Sequence, residues 1–487
     1  MSSSNELKVT EPKNRKEETI TSDPKAPQNG QIRKYYQTEL NEWYSYKPLS
    51  DPRNIRLLCI QRGEGAIHVH LRETTMDLES YDAFSYTWGS PIYENVDWRK
   101  SGRGWGGSDP FLEIKARLKG NPHRFIYCNS KKLEVTENLY QALLQFRLEG
   151  HIQSFWVDAI CINQKSAEER TSQVQMMGDI YATSNAVITW LGIADSDTES
   201  VVDLISMVGK AIDDHFVTLR EGYFEFNSPS FYQITGLRPL DDLHWKMIAK
   251  LFSRRWFCRQ WVLQEITLGN PVAVMIGPYV LDFKRLQAVG VFLTENNWTD
   301  HLTNKYNIFI PVLNGEIIDP GSGAVILSNA VWYSEFRENG VVNVPHLKNY
   351  LQRIYKSSTS EERFYEFLQD LLAATSYLLA EDPRDYIFAP LAIVGRYFIS
   401  ESLVGETITT DYSQDAVTIY TTISSRFLRQ TPLLSLISEV KNGIKNDMPG
   451  IPSWVPNFSY RLSGSSLMGW TDYDVFKGMN FIDDRRE

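Results

Sequence analysis

The 487-residue chain is short of the residues that cross-link small folds or hold metals. It has four cysteines and eight histidines. Cys59, Cys128, Cys161 and Cys258 lie far apart and form no CxxC pair, which argues against a disulfide framework and a cysteine-rich zinc site. Cys161 and Cys258 sit in apolar runs, where a reduced buried thiol is expected. His68 and His70 share one face of a strand but have no evident third ligand, so no metal site is expected. No run of about 18 apolar residues occurs, and no transmembrane helix is expected. The N-terminus lacks a charged-then-apolar leader pattern, which points to a reduced, cytoplasmic location. Basic residues are not in excess. Lys and Arg total 50 against 60 Asp and Glu, a net charge of −10. That balance offers no general surface for nucleic acid or anionic membrane. No internal repeat is visible.

Aromatic residues are plentiful. With 13 Trp and 25 Tyr, aromatic-lined pockets are expected. The length suits two to three domains. Residues 1–35 are polar and aperiodic and read as a disordered tail. A domain over 36–290 follows, with insertions near 90–123 and 195–252, and 291–487 read as a mainly helical C-terminal region. Residues 55–60 and 67–71 read as a hairpin, and 81–89 as a short buried strand ending in a turn. A small hairpin is expected around Asn129-Ser130. Thr136 caps a helix to about 148. Residues 155–162 read as a buried strand containing Asp158, and Ser166 opens a helix to about 183. Strands follow at 186–191 and 272–276, with mostly helical chain over 195–252 and a loop near 223–240. Helices are expected over 348–380 and 414–430. The alternation of strand and helix from 81 to 276 predicts an α/β fold, a mostly parallel open sheet flanked by helices. Ligands of such sheets bind at the carboxyl ends of the strands, where Ser85 to Gly89 and Asp158 to Gln164 fall.

One carboxylate is out of place. Residues 254–268 read as one helix with Gly269 at its C′ position. Phe257, Cys258, Trp261, Val262 and Ile266 share a face, and Glu265 falls in its middle. An ionised carboxylate there is costly unless it is paired or used. Its structural alternative is an ion pair with Arg254, Arg255, Arg259 or Arg170. Arg170 lies on the apolar stripe of its own helix and is expected to pair with a buried carboxylate, Asp158 or Glu265. Ser101–Gly107 lacks the Lys-Ser/Thr of a phosphate-binding loop. Met176, Met177 and Tyr181 read as core.

Together, Tyr81-Asp-Ala-Phe-Ser-Tyr-Thr-Trp-Gly89, Trp156-Val-Asp-Ala-Ile-Cys-Ile-Asn-Gln164, Glu169-Arg170 with Gln173-Val174 and Ile180-Tyr181, Trp190-Leu-Gly192, and Arg255-Trp-Phe with Trp261-Val-Leu-Gln-Glu265 resemble the fungal heterokaryon incompatibility (HET) domain. Asp382-Pro-Arg-Asp-Tyr-Ile-Phe388, Asp411-Tyr412 and Pro452-Ser-Trp-Val-Pro456 resemble segments that often follow it. The resemblance implies self/non-self recognition and programmed cell death after fusion of unlike cells, with an incompatibility partner. The HET domain is in turn similar to Toll/interleukin-1 receptor (TIR) domains. That remoter likeness implies a TIR-like fold, homotypic self-assembly and, for Glu265, cleavage of NAD⁺ as substrate with no resident cofactor. The chain departs from TIR domains in its longer 90–123 loop and its 195–252 insertion.

Chemically, a single glutamate suffices for such a reaction. The nicotinamide leaving group is already cationic, and one carboxylate can stabilise the oxocarbenium-like ribosyl state. Candidate substrate contacts are Ser85, Trp88, Gly89, Asp158, Asn163, Arg170 and Trp261. Each has a structural alternative: a core packing role, a turn, or a loop-fixing hydrogen bond. The rival to the enzyme is a scaffold with a structural Glu265.

Overall fold

The computed structural model describes residues 42–92, 123–306 other than 152 and 270, 378–397, 410–430 and 448–459, with short stretches between 310 and 375. The expected tail over 1–35, most of the 90–123 insertion and most of the helix expected over 348–380 lie outside the described residues.

Nine strands form one sheet: β1 (Ile55–Ile60), β2 (His68–Thr74), β3 (Tyr81–Tyr86), β4 (His123–Cys128), β5 (Lys131–Thr136), β6 (Ser154–Trp156), β7 (Val187–Trp190), β8 (Val272–Ile276) and β9 (Tyr279–Asp282). Their spatial order is β5-β4-β2-β1-β6-β3-β7-β8-β9. The middle strands β6, β3, β7 and β8 run parallel, while β1 meets both β2 and β6 antiparallel. The β4–β5 and β8–β9 hairpins are also antiparallel, so the sheet is open and mixed with a parallel centre. Asn129 and Ser130 both have positive φ, which turns β4 tightly into β5.

Among the described residues the helices begin with α1 (Glu137–Leu148), α2 (Asp158–Cys161), α3 (Ala167–Thr183), α4 (Thr198–Asp214) and α5 (Phe216–Arg220). Then come α6 (Pro229–Thr235), α7 (Asp242–Phe252), α8 (Val262–Leu268), α9 (Phe283–Glu295), α10 (Trp298–Tyr306), α11 (Asp385–Tyr397) and α12 (Ala416–Gln430). Thr136 caps α1 and Ser166 caps α3 through their hydroxyl oxygens, each accepting a first-turn N–H. The strands of the parallel centre are almost wholly buried, as chains covered on both faces must be. The apolar core continues into Tyr386, Phe388, Tyr420 and Phe427, so the C-terminal helices share it.

Two local readings of the sequence are corrected. The expected strand over 155–162 ends at Trp156, and Asp158–Cys161 turns helically. An apolar run buried in either form carries no period to tell the two apart. The expected continuous helix over 254–268 is broken. Arg255–Cys258 is a 3₁₀ turn, Arg259 is extended at φ −80° and ψ 134°, and α8 begins only at Val262. The break arises because Arg259 forms a β-bridge with Leu379, far along the chain. Gly269 follows α8 in extended geometry rather than left-handed. A side chain is excluded there for another reason: a Cβ would lie 2.1 Å from Val187 Cγ2.

Candidate functional site at the carboxyl ends of the parallel strands

The pairing of β6 with β3 stops at Trp156 opposite Ala83, whereas β3 continues to Tyr86 alongside β7. Chain leaving β6 therefore turns into α2 beside the end of β3. This step in the sheet gathers the charged groups.

Glu265 is 1% exposed, in a helix whose seven residues are all buried. The expected apolar face is thus not a face but the whole surface of α8. The carboxylate accepts a hydrogen bond from the Ser85 hydroxyl at the end of β3. Arg259 completes its shell, with Nη2 3.2 Å from Oε1 and Nη1 donating to Oε2 at 3.3 Å. The buried Trp256 indole donates to Ser85 Oγ at 2.6 Å, which leaves the serine hydrogen free to point at Glu265. Of the four arginines open as partners, Arg259 is the one that pairs. Arg254 instead donates to the Leu191 carbonyl at 2.8 Å.

Asp158 is half-buried at the start of α2 and accepts the Trp88 indole N–H at 2.8 Å. Burial pushes its carboxyl up to about 6, Arg259 and the Trp88 bond pull against that rise, and Glu265 adds to it. Burial works against the Arg259 charge, but the two carboxylates outweigh it and raise its pKa. The Tyr86 hydroxyl is buried with no hydrogen-bond partner among the described residues, and burial and then Asp158 lift its pKa well above the ordinary value. The cluster grades outward. Glu265 and Ser85 are sealed, the Arg259 side chain is 18% exposed, and Trp88 is 40% exposed.

Ser85, Trp88, Asp158 and Glu265 are therefore brought together. Gly89 lies half-buried in the bend beyond Trp88. Asn163 fixes its own loop, accepting the Lys165 N–H at 3.3 Å, while its backbone N–H donates to Glu169 at 2.7 Å. Arg170 corrects an expectation, because it pairs with neither Asp158 nor Glu265. Its guanidinium lies 4.5 Å from the centre of the Tyr412 ring, beside the C-terminal segment. The neighbouring Glu169 makes the buried ion pair of this helix, with Arg56 at 2.6 Å. Trp261 also faces away from the cluster, donating to Asp385 at 3.0 Å.

Trp256 and Asp385 were missed in the sequence. Trp256 lies inside the quoted Arg255-Trp-Phe motif and Asp385 inside Asp382–Phe388, so motif membership was the available signal. Among the described residues no group of three metal-ligating side chains occurs, and no helix is long and apolar enough to cross a membrane.

Residues 81–265 match the family model described as Heterokaryon incompatibility protein (HET). The chain is also similar to Heterokaryon incompatibility protein 6, OR allele, of Neurospora crassa, with 27% identity over 209 residues. That match covers 39% of this chain and 30% of the relative's length. No solved structure matches the chain. The β3 serine, the Asp158 turn and the Glu265 helix all lie within the matched segment, and residues 81–265 of this chain carry a HET domain.

Proposed function

We propose that this chain is an effector of heterokaryon incompatibility, and that its HET domain cleaves the nicotinamide–ribose bond of NAD⁺ at Glu265 from a state more open than the one described. The observation that carries this reading is the convergence of Glu265, Asp158 and Ser85 around one cation, Arg259, at the carboxyl ends of parallel strands. Two carboxylates flanking a guanidinium form a cation site, and a ribosyl pyridinium is a cation. With Arg259 displaced, Glu265 would face the anomeric carbon. The C1′–N bond breaks with its electron pair passing to nicotinamide, and the carboxylate stabilises the oxocarbenium charge left behind. Water then adds, and its proton can pass to Asp158, whose pKa near 6 suits a base at neutral pH. The exposed Trp88 ring offers a stacking surface for nicotinamide.

A second reading rests on a specific observation: Glu265 is 1% exposed and already held by Ser85 and Arg259. In that reading the glutamate is a structural ion and the domain acts in incompatibility by binding other proteins, itself included. The two are separated by incubating full-length protein with NAD⁺ at high concentration and following nicotinamide. Release by the wild type that is lost in a folded Glu265→Ala supports the enzyme. No release from folded protein, with Arg259→Gln also silent, supports the scaffold.

A further inference from the structure

Arg259 is held from both sides by a distant part of the chain. The Leu379 N–H donates to the Cys258 carbonyl at 2.6 Å, and the Gln260 N–H donates to the Leu379 carbonyl at 2.8 Å. These two bonds form the Arg259–Leu379 bridge and fix the backbone on each flank of the arginine. The next residues are held as well. Gln260 Nε2 donates to Thr375 Oγ1 at 3.2 Å, and Trp261 donates to Asp385, which also accepts the Tyr412 hydroxyl. One turn further, Gln264 Nε2 reaches the Ala389 carbonyl at 3.5 Å. The extended conformation that aims Arg259 at Glu265 is thus imposed from outside the HET domain. A segment free to follow its own helical pattern would have continued the 3₁₀ turn into α8.

Among the described residues, the Oε1 atoms of Gln260 and Gln264 are buried at this seam with no hydrogen-bond partner. Unmet acceptors of this kind weaken the contact that holds them. Asp385 adds to the weakness. Burial lifts its carboxyl to about 6, so it carries an expensive charge at neutral pH. Arg170, which the HET-domain site does not use, serves this seam by lying over Tyr412, and the Tyr412 N–H donates to Thr171 Oγ1 at 3.3 Å.

We propose that the C-terminal segment around Leu379 and Asp385 is an intramolecular clamp that holds Arg259 on Glu265, so that its release is the step that opens the carboxylate site. The clamp regulates the site proposed above and rests on that reading for its biological meaning. Arg259 acts as a built-in cation occupying the position a cationic substrate would need. Whatever draws the C-terminal segment off the HET domain frees the arginine and α8 together.

The test is backbone hydrogen exchange on the full-length chain in the wild type, in Leu379→Pro and in Trp261→Phe. The proline removes the N–H that binds Cys258, and the phenylalanine keeps the ring while removing the donor to Asp385. The clamp predicts exchange at least about tenfold faster over residues 260–268 in Leu379→Pro and a smaller rise in Trp261→Phe, with β3 and β7 unchanged. Unchanged exchange over 260–268 in both variants overturns it. So does an equal acceleration throughout the sheet, which would make the seam part of one common core. Nicotinamide release from the same samples is scored separately. Local opening without release would refute the NAD⁺ reading while leaving the clamp in place.

Discussion

Replacing Arg259 by Gln should destabilise the protein in a way that depends on Glu265. The variant leaves a carboxylate that is 1% exposed with the Ser85 hydroxyl as its remaining donor. Removing one partner of a buried ion pair costs about 3–5 kcal/mol, because the other charge stays buried. The Arg259 side chain is 18% exposed, so water can reach part of the gap, and the lower end of that range applies. A loss of about 3 kcal/mol corresponds to a fall in Tm of roughly 6–12 °C for a domain of this size. Glu265→Gln alone should cost less, because Arg259 retains some solvent and the nearby Asp158. The double variant replaces both charges with neutral partners, and its loss should fall short of the sum of the singles by about 1–3 kcal/mol. Urea melts of the four proteins measure all of this. Single losses below about 1 kcal/mol that add within about 0.5 kcal/mol would refute the claim that this pair is buried and coupled.

Asp158 and Asp385 each hold a folded-state pKa near 6 against an ordinary 3.8. The folded protein therefore binds more protons between about pH 4 and 6. Stability contributed by these groups falls as pH rises through that window and is flat above it. Each should account for about 1–3 kcal/mol, and Asp158→Asn or Asp385→Asn should flatten the slope in melts from pH 4.5 to 7.5. Gly269→Ala forces a methyl to within 2.1 Å of Val187 Cγ2 and 2.7 Å of the Glu265 carbonyl. It should cost about 3 kcal/mol or more, read as a lower urea midpoint with unchanged slope. Thr136→Ala should lose about 1 kcal/mol by uncapping α1, with no effect on exchange over 260–268.

Much of the architecture was legible because its signals are local. Thr136 and Ser166 announce their helices, Asn129-Ser130 announces a hairpin, and the short apolar runs at 81–86 and 187–190 announce buried strands. Glu265 stood out because a charge on an apolar helix must find a partner. The identity of that partner was not legible, since Arg254, Arg255 and Arg259 sit within a few residues of one another. The choice depends on the extended backbone at Arg259, which Leu379 imposes from 120 positions away. The same distance hid the break between Cys258 and Val262 and the role of Asp385. Arg170 was misassigned for a related reason. Its place on an apolar stripe is real, but the group it meets is the face of Tyr412, with Asp382 rather than Asp158 or Glu265 as the carboxylate within its field. Local periodicity reports that a polar group is buried; the fold decides what buries it.

The account turns on Glu265 being a competent carboxylate held shut by Arg259. The most direct measurement is nicotinamide release from NAD⁺ by full-length wild type, Arg259→Gln and Arg259→Gln/Glu265→Gln, at equal concentrations and at a temperature where melts show all three folded. The account predicts slow or no release from the wild type, faster release from Arg259→Gln, and none from the double variant. Absence of release from folded Arg259→Gln, or release that persists without Glu265, would contradict it.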